Sequence, residues 1–164
     1  MSSGETIEIT LTDPQAAILN SNADRNLLMM GQGGGKTNTM GNLSYLLSQN
    51  VPDVMGLIAA NTYRQLTNST LKEIFKQWAS LGFTKYTEAN PSGSYVIDRT
   101  PPKTFTPHKY IFRDNDSKIY CKNGAVIVVA SLDNYMALEG MELGWALLDE
   151  TEATKEEAVT EVIT

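Results

Sequence analysis

A glycine-rich run between an apolar stretch and a helix-forming segment constrains this chain more than any other feature. Residues 26–37 read NLLMMGQGGGKT, and the glycines allow a tight curl that turns backbone N–H groups inward without a Cβ clash. A helix that begins near Lys36 would point the positive end of its dipole at the same place. The pattern predicts a phosphate-binding P-loop between a strand at 26–30 and a helix at 35–49.

The residue types around the glycines assign roles within that loop. Lys36 would reach the β- and γ-phosphates of a nucleotide, and the Thr37 hydroxyl would ligate Mg²⁺. Met30 stands at the first glycine position of the pattern G-x-x-x-x-G-K-[ST], so the loop is a variant. The predicted cofactors are therefore ATP and Mg²⁺. The residues predicted to hold the phosphates are Gly31, Gln32, Gly33, Gly34, Gly35, Lys36 and Thr37.

A second motif follows more than a hundred residues later. The apolar run at 144–148 ends in Asp149 and Glu150. A parallel strand would carry both acids to the carboxyl edge of a sheet, where ligands bind in open α/β folds. Asp149 would hold Mg²⁺, and Glu150 would orient and deprotonate the water that attacks the γ-phosphate. A kinase needs no water-activating glutamate there, so the pair favours hydrolysis over transfer to a small acceptor.

Each motif has a simpler alternative. The first could be a glycine-rich turn with a chance Lys-Thr pair, and the second a strand end with two solvated acids. Their occurrence together favours the nucleotide site. Gln15, upstream of the loop, is a further candidate because its amide could donate to and accept from the adenine edge. An exposed glutamine on a first helical turn is an equally good interpretation.

The predicted elements alternate between helix and strand, which indicates an α/β fold. A short helix at 15–20, with Asp13 as its N-cap, precedes the loop. An apolar run at 54–60 predicts a buried parallel strand, and apolar spacing at i, i+3, i+4 and i+7 predicts a helix over 63–80. We expect a P-loop NTPase with a mostly parallel sheet, helices on both faces and a β-hairpin.

Two of these helices have a predicted core-facing side. In the helix at 35–49 it consists of Met40, Leu43 and Leu47, and Pro52 ends the helix. In the helix at 63–80 it consists of Leu71, Ile74, Phe75 and Trp78.

Beyond residue 90 the chain changes character. Residues 90–116 contain four prolines and few apolar runs, which indicates a long excursion that includes His108, the only histidine. A lone loop histidine is most often a surface residue, and we assign it no role. The Asn-Gly pair at 123–124 predicts a hairpin over 118–131. A polar helix is expected over 151–163.

Size and composition exclude several classes of protein. The chain has 164 residues, enough for one domain, and its 41% of apolar residues excludes a disordered chain. No run approaches the roughly 18 apolar residues of a membrane span, and no signal peptide is evident. Cys121 is the only cysteine, so an internal disulfide is impossible and a reducing cytosol fits.

The net charge of −6 is unevenly distributed. Residues 139–164 hold eight acids and one base, whereas the preceding chain is nearly balanced. No basic stripe indicates nucleic-acid binding, so strong contacts with DNA would lie elsewhere or in an assembly of copies. We interpret the acidic end as a solvated helix face.

Taken in order along the chain, these motifs resemble the ATPase domain of the large terminase subunit of tailed phages, a motor that pumps double-stranded DNA into a preformed capsid. The segment at 11–19 is similar to the adenine-side segment of that family. The segment at 61–71 is similar to the family's post-strand segment of Thr-Tyr-Arg type with a downstream Ser. The segments are LTDPQAAIL at 11–19, MGQGGGKT at 30–37, NTYRQLTNSTL at 61–71, NGAVIVVASLDN at 123–134 and LEGMELGWALLDET at 138–151.

The resemblance implies partners and a location. It implies a homo-oligomeric ring that hydrolyses ATP while docked on the portal protein of a procapsid, in the cytoplasm of an infected bacterium, with no membrane involved. It also implies a small terminase subunit that selects viral DNA. The family's coupling motif and nuclease domain are expected later in a full-length protein, so 1–164 is expected to be a single ATPase domain that is truncated at its C-terminal end.

Two positions depart from the family pattern. Gln32 and Glu139 stand where an arginine is frequent, and such an arginine could stabilise the transferring phosphoryl group. The arginine finger cannot be carried over, and Arg64, Arg99 and Arg113 remain candidates. Two alternative functions also stay open: another P-loop ATPase, such as a helicase or clamp-loader-like protein, or a scaffold that binds nucleotide without turnover.

Overall fold

The computed structural model describes residues 8–29, 33–110, 117–151, 154 and 156–163. Its strands are β1 Met55–Ala60, β2 Tyr95–Ile97, β3 Lys118–Cys121, β4 Val126–Ser131 and β5 Leu143–Asp149. They form one open sheet in the order β2-β3-β4-β1-β5. The helices are α1 Asp13–Leu19, α2 Lys36–Asn50, α3 Tyr63–Gln65, a π-helix at Leu66–Thr70, α4 Leu71–Ser80, a 3₁₀ segment at Leu132–Leu138 and α5 Glu156–Ile163.

The α/β class is confirmed, but the sheet is mixed. Strand β1 pairs in parallel with both β4 and β5, whereas β2–β3 and β3–β4 are antiparallel. The prediction of a mostly parallel sheet is therefore wrong. The reason is that the excursion at 90–116 contributes β2, which adds to the outer side of the predicted hairpin and extends the sheet in the antiparallel sense.

Helices cover both faces of the sheet, as predicted. On one face, α2 and α4 pack over the side chains of Ile58 and Ile127. The aromatic rings of Phe75, Trp78, Phe83 and Tyr95 form stacked, tilted and edge-to-face pairs there, with centroids 5.0–5.5 Å apart. Each such ring pair adds about 0.5–1.5 kcal/mol beyond the area it buries. On the other face, the 3₁₀ segment and α5 cover Leu57 and Ala59.

Several predicted elements form where expected. Strand β1 is buried at every position, and α4 turns Leu71, Ile74 and Trp78 into the core. The hairpin closes through a hydrogen bond from Cys121 N to Ala125 O, with Gly124 at φ 99°. A left-handed φ is accessible to glycine without Cβ strain, which explains why the Asn-Gly pair predicted this turn.

The predicted strand at 26–30 is wrong for residues 26–29, and Met30 lies outside the described residues. Leu27 and Met29 are 79% and 83% exposed, and no described strand pairs with this segment. An extended segment needs a neighbour for its backbone N–H and C=O groups, and residues 26–29 pair with neither edge strand, β2 or β5, although β5 has an open side among the described strands. The apolar run alone therefore did not establish a strand.

The buried face of α2 is also different from the prediction. Met40 is buried, but Leu43 and Leu47 are only half-buried. Polar and small residues are buried on α2 instead, namely Thr39, Gly41, Asn42, Ser44 and Ser48. Of these, Gly41, Asn42 and Ser44 contact α4. Hydrogen bonds to α4 replace the expected apolar contacts, beginning with Trp78 Nε1, which donates to Gly41 O at 3.0 Å and to Ser44 Oγ at 3.1 Å.

Candidate functional site

The carboxyl ends of three parallel strands meet at one edge of the sheet. The register pairs Ala60, the last residue of β1, with Ser131 of β4 and with Asp149 of β5. The residues that follow these strands therefore converge on the same edge. In open α/β sheets this edge is where ligands bind.

Asp149 is held at this edge by a threonine from the segment that follows β1. Thr70 Oγ1 donates to Asp149 Oδ2 at 2.7 Å, and the two residues are 1% and 7% exposed. A buried carboxylate is costly unless it is hydrogen-bonded, so this contact stabilises Asp149 in place. The sequence singled out a downstream serine in this segment, but the hydroxyl that contacts Asp149 belongs to Thr70.

Glu150 is the next residue, and its side chain is exposed. Its φ is 51°, in the left-handed region that residues other than glycine rarely adopt. The amide Nε2 of Gln65 donates a hydrogen bond to Glu150 Oε2, so the carboxylate has a defined partner. Both acids of the second motif are thus contacted by the same short segment after β1.

A π-helix explains how one segment contacts both acids. Thr62 caps the turn by accepting a hydrogen bond from Gln65 N at 3.2 Å, and the π-helix then runs from Leu66 to Thr70. In an α-helix, residues five apart point about 140° away from each other. The i to i+5 hydrogen bonding of a π-helix brings them to a common side, so Gln65 and Thr70 can both face the end of β5.

The glycine-rich loop enters α2 through two left-handed residues. Gly33 and Gly35 have φ values of 77° and 79°, and Gly35 is the N-cap of α2. Lys36 and Thr37 form the first turn and are half-buried, as is Gly34. Gly31 and Gln32, which were also predicted to hold phosphate, lie outside the described residues.

Gln15 contacts this loop directly. Its Nε2 donates to Gly35 O at 3.2 Å, and its Oε1 accepts from Thr12 N at 2.9 Å. Thr12, one residue before the predicted cap, is the N-cap of α1. The Gln15 side chain is buried and ties α1 to the loop. An amide carries two N–H groups and two lone pairs, so contact with adenine stays a prediction.

The connections of the fold bring the loop to the same edge as the acids. Helix α2 has 15 residues and β1 has six, so they span about 22 Å and about 20 Å respectively. Only residues 51–54 join them, so α2 runs antiparallel to β1 and its first turn lies level with the carboxyl end of that strand. Lys36 and Asp149 are therefore at the same edge of the sheet.

The donor chemistry suits the predicted magnesium. Among the described residues, no three His, Cys, Asp or Glu side chains cluster as a metal site. Mg²⁺ at a nucleotide takes one or two protein oxygens, several waters and phosphate oxygens, so a dedicated cage is not needed. The Thr37 hydroxyl and the Asp149 carboxylate are oxygen donors of the required kind.

The candidate arginines divide between described and undescribed residues. Arg64 is exposed in α3, next to Gln65, and Arg99 is exposed after β2. Arg113 lies outside the described residues. Glu139 is exposed beside Gly140, which has a φ of 74°. Arg64 is thus the described arginine whose neighbour in sequence contacts Glu150.

Comparisons with protein-family models, with curated proteins and with solved structures found no match to this chain. Among the described helices, none combines the length and the apolar character that crossing a membrane requires.

Proposed function

We propose that this chain is the ATP-hydrolysing motor domain of a viral genome-packaging terminase, with a P-loop NTPase fold, which drives double-stranded DNA into a procapsid. The observation that carries the proposal is the common edge of the two motifs. The left-handed glycines lead into α2 at Lys36, level with the carboxyl end of β1, and β5 ends beside it at Asp149 and Glu150.

The proposed roles follow from that edge. Lys36 and the loop amides would hold the phosphates of ATP, and the dipole of α2 would favour their negative charge. Thr37 and Asp149 would hold Mg²⁺, which would neutralise negative charge on the phosphates when bound. Glu150 would accept a proton from the attacking water. Its side chain is exposed at the carboxyl edge of the sheet, where water can reach it, and this suits that role.

The packaging part of the proposal rests on the order of the resembling segments. It gains support because three of them come together in space. The segment at 61–71 contacts Asp149 and Glu150, and the strands of the segments at 123–134 and 138–151 flank β1 in one sheet. A ring of copies, the portal protein, the small terminase subunit and a bacterial cytoplasm remain parts of this proposal.

Nucleotide binding and turnover test the enzymatic part. Lys36→Ala should abolish binding of Mg·ATP, measured by calorimetry. Glu150→Gln should preserve binding and abolish phosphate release. The matched controls are Lys76→Ala and Glu157→Gln, two exposed residues of α4 and α5. Normal turnover by Glu150→Gln would overturn the proposed mechanism, and binding without turnover by the wild-type chain would favour a nucleotide-binding scaffold.

A DNA assay separates packaging from the helicase alternative. We expect double-stranded DNA to raise ATP turnover, and we expect no strand separation on a forked duplex. Unwinding of the fork would favour a helicase-like ATPase. The same assay on Glu150→Gln shows whether any effect of DNA depends on hydrolysis.

A further inference from the structure

We infer that Gln65 is a positioning residue for Glu150. The Gln65 amide holds one oxygen of the Glu150 carboxylate so that the other oxygen faces the water at the γ-phosphate. This inference deepens the proposed function and rests on it. Gln65 lies on α3, which follows β1, and Glu150 directly follows the neighbouring strand β5. The two residues are 85 positions apart in the chain.

The contact is a tertiary one that the fold supports on both sides. Strands β1 and β5 pair in register up to Ala60 and Asp149, so the segments that follow them start side by side. Thr62 fixes the first turn after β1 through its bond to Gln65 N. Thr70 fixes the last residue of β5 through its bond to Asp149.

The backbone of Glu150 is in a conformation that contacts elsewhere in the fold must hold. A left-handed φ is unfavourable for a residue with a Cβ, so the local chain does not favour this conformation by itself. An exposed glutamate also has freely exchanging rotamers. The donor from Gln65 selects one carboxylate orientation out of these.

The chemistry of the pair fits positioning and not proton transfer. A glutamine amide does not titrate, so Gln65 can donate a hydrogen bond but cannot exchange protons with water as a base. Its donor occupies Oε2, which leaves Oε1 to accept the proton of the attacking water. A general base must lie within hydrogen-bond reach of its proton, so a fixed carboxylate raises the fraction of productive geometries.

The test uses variants that keep the length of the side chain. Gln65→Met removes the donor, and Gln65→Glu puts a second carboxylate against Glu150. We expect kcat to fall about tenfold in Gln65→Met and further in Gln65→Glu, while the KM for ATP stays within about twofold. Gln49→Met, at an exposed position near the end of α2, is the control and should leave kcat unchanged.

A double-mutant cycle shows whether Gln65 acts through Glu150. Glu150→Ala should abolish the turnover that depends on the carboxylate, and Gln65→Met should leave any slower background rate of that variant unchanged, because the group being positioned is gone. An equal loss in both backgrounds, or a kcat within about twofold of the wild type in Gln65→Met, would overturn the inference.

A measurement without turnover separates this inference from the proposed function. The side-chain amide signals of Gln65 in a ¹⁵N–¹H NMR spectrum are the ones that Gln65→Met removes. They should shift in Glu150→Ala and stay in place in Glu157→Ala. Unshifted signals overturn the inference whatever the ATPase result. If the Gln65 signals shift in Glu150→Ala but the wild-type chain does not hydrolyse ATP, the contact is confirmed. Its catalytic purpose and the proposed function are then both overturned.

Discussion

Thr70 Oγ1 donates a 2.7 Å hydrogen bond to Asp149 Oδ2, and both residues are almost completely buried. This bond joins the helical segment after β1 to the last residue of β5, 79 positions further along the chain. It supports the edge of the sheet on which the proposed function depends. Its removal should therefore affect stability, and the effect can be separated from that of losing side-chain volume.

Thr70→Val should destabilise the fold by about 1–3 kcal/mol, because the isosteric change removes the hydroxyl and leaves a buried carboxylate oxygen without this donor. Urea unfolding followed by circular dichroism measures the loss. Thr70→Ser keeps the hydroxyl and is the control. If Thr70→Val is as stable as the wild type while Thr70→Ser is less stable, the methyl group and not the hydrogen bond is what matters.

Gly56 should not tolerate a side chain, because the ring of Trp145 lies where its Cβ would be. A Cβ on Gly56 would meet three ring atoms of Trp145 at 2.1–2.5 Å, and the two residues are partners in the β1–β5 register. Gly56→Ala should destabilise the fold by about 1–3 kcal/mol, measured by urea unfolding.

A smaller side chain at position 145 tests whether the Trp145 ring causes the loss of stability in Gly56→Ala. In a Trp145→Leu background the same alanine should cost much less, so the two substitutions should be strongly non-additive. Additive losses would mean that the cost at Gly56 comes from the strand backbone and not from the tryptophan.

Periodicity and turn chemistry predicted much of this fold from the sequence. Strand β1, α4 and the hairpin at Gly124 follow from local patterns, and so does the start of α2 at Lys36 after left-handed glycines. Two features did not follow. Leu27 and Met29 lie in an apolar run that pairs with no described strand, although β5 has an open side, because strand pairing depends on tertiary contacts that an apolar run does not specify.

The contacts around the acids were also beyond the sequence. Gln65 and Thr70 are five residues apart, a spacing that does not place two side chains together on an α-helix. Only the π-helix brings them to one side, and no local pattern in the sequence marked it. Likewise, the periodicity of α2 pointed to its leucines, whereas Asn42 and its polar neighbours form the interface through hydrogen bonds to α4.

Gln77 should be needed to hold α2 against α4. Its Nε2 donates to Asn42 Oδ1 at 2.8 Å, and its Oε1 accepts from Asn38 Nδ2 at 2.6 Å. Asn42 is fully buried, so Gln77→Met leaves its amide oxygen without that donor and should cost about 1–3 kcal/mol of unfolding free energy.

A second substitution divides the two bonds of Gln77. Gln77→Glu keeps an acceptor for Asn38 but has no donor for Asn42, so it should lose most of what Gln77→Met loses. Urea unfolding of both variants makes the comparison. Full stability in Gln77→Glu would place the important contact at Asn38 and contradict the role given to buried Asn42.

His108 should make the stability of the fold depend on pH between about 7 and 5. It is half-buried and not a surface residue as the sequence suggested, and its Nε2–H donates to Cys121 O at 2.9 Å because a carbonyl oxygen can only accept. Burial lowers the pKa of His108 below its ordinary 6.5, an effect that the bond to Cys121 partly opposes. Below pH 6.5 the unfolded chain therefore binds a proton more readily than the folded chain, and the free energy of unfolding falls as the pH falls.

His108→Gln removes the titrating group and keeps a donor for Cys121. Because His108 is the only histidine, the difference between wild type and variant isolates its contribution from the carboxylates that both proteins share. Urea unfolding at pH 7.5 and 5.5 should show a larger loss of stability on acidification in the wild type than in His108→Gln. Equal losses in the two proteins would mean that the imidazole titrates alike in the folded and unfolded chain, and that burial does not disfavour its charge.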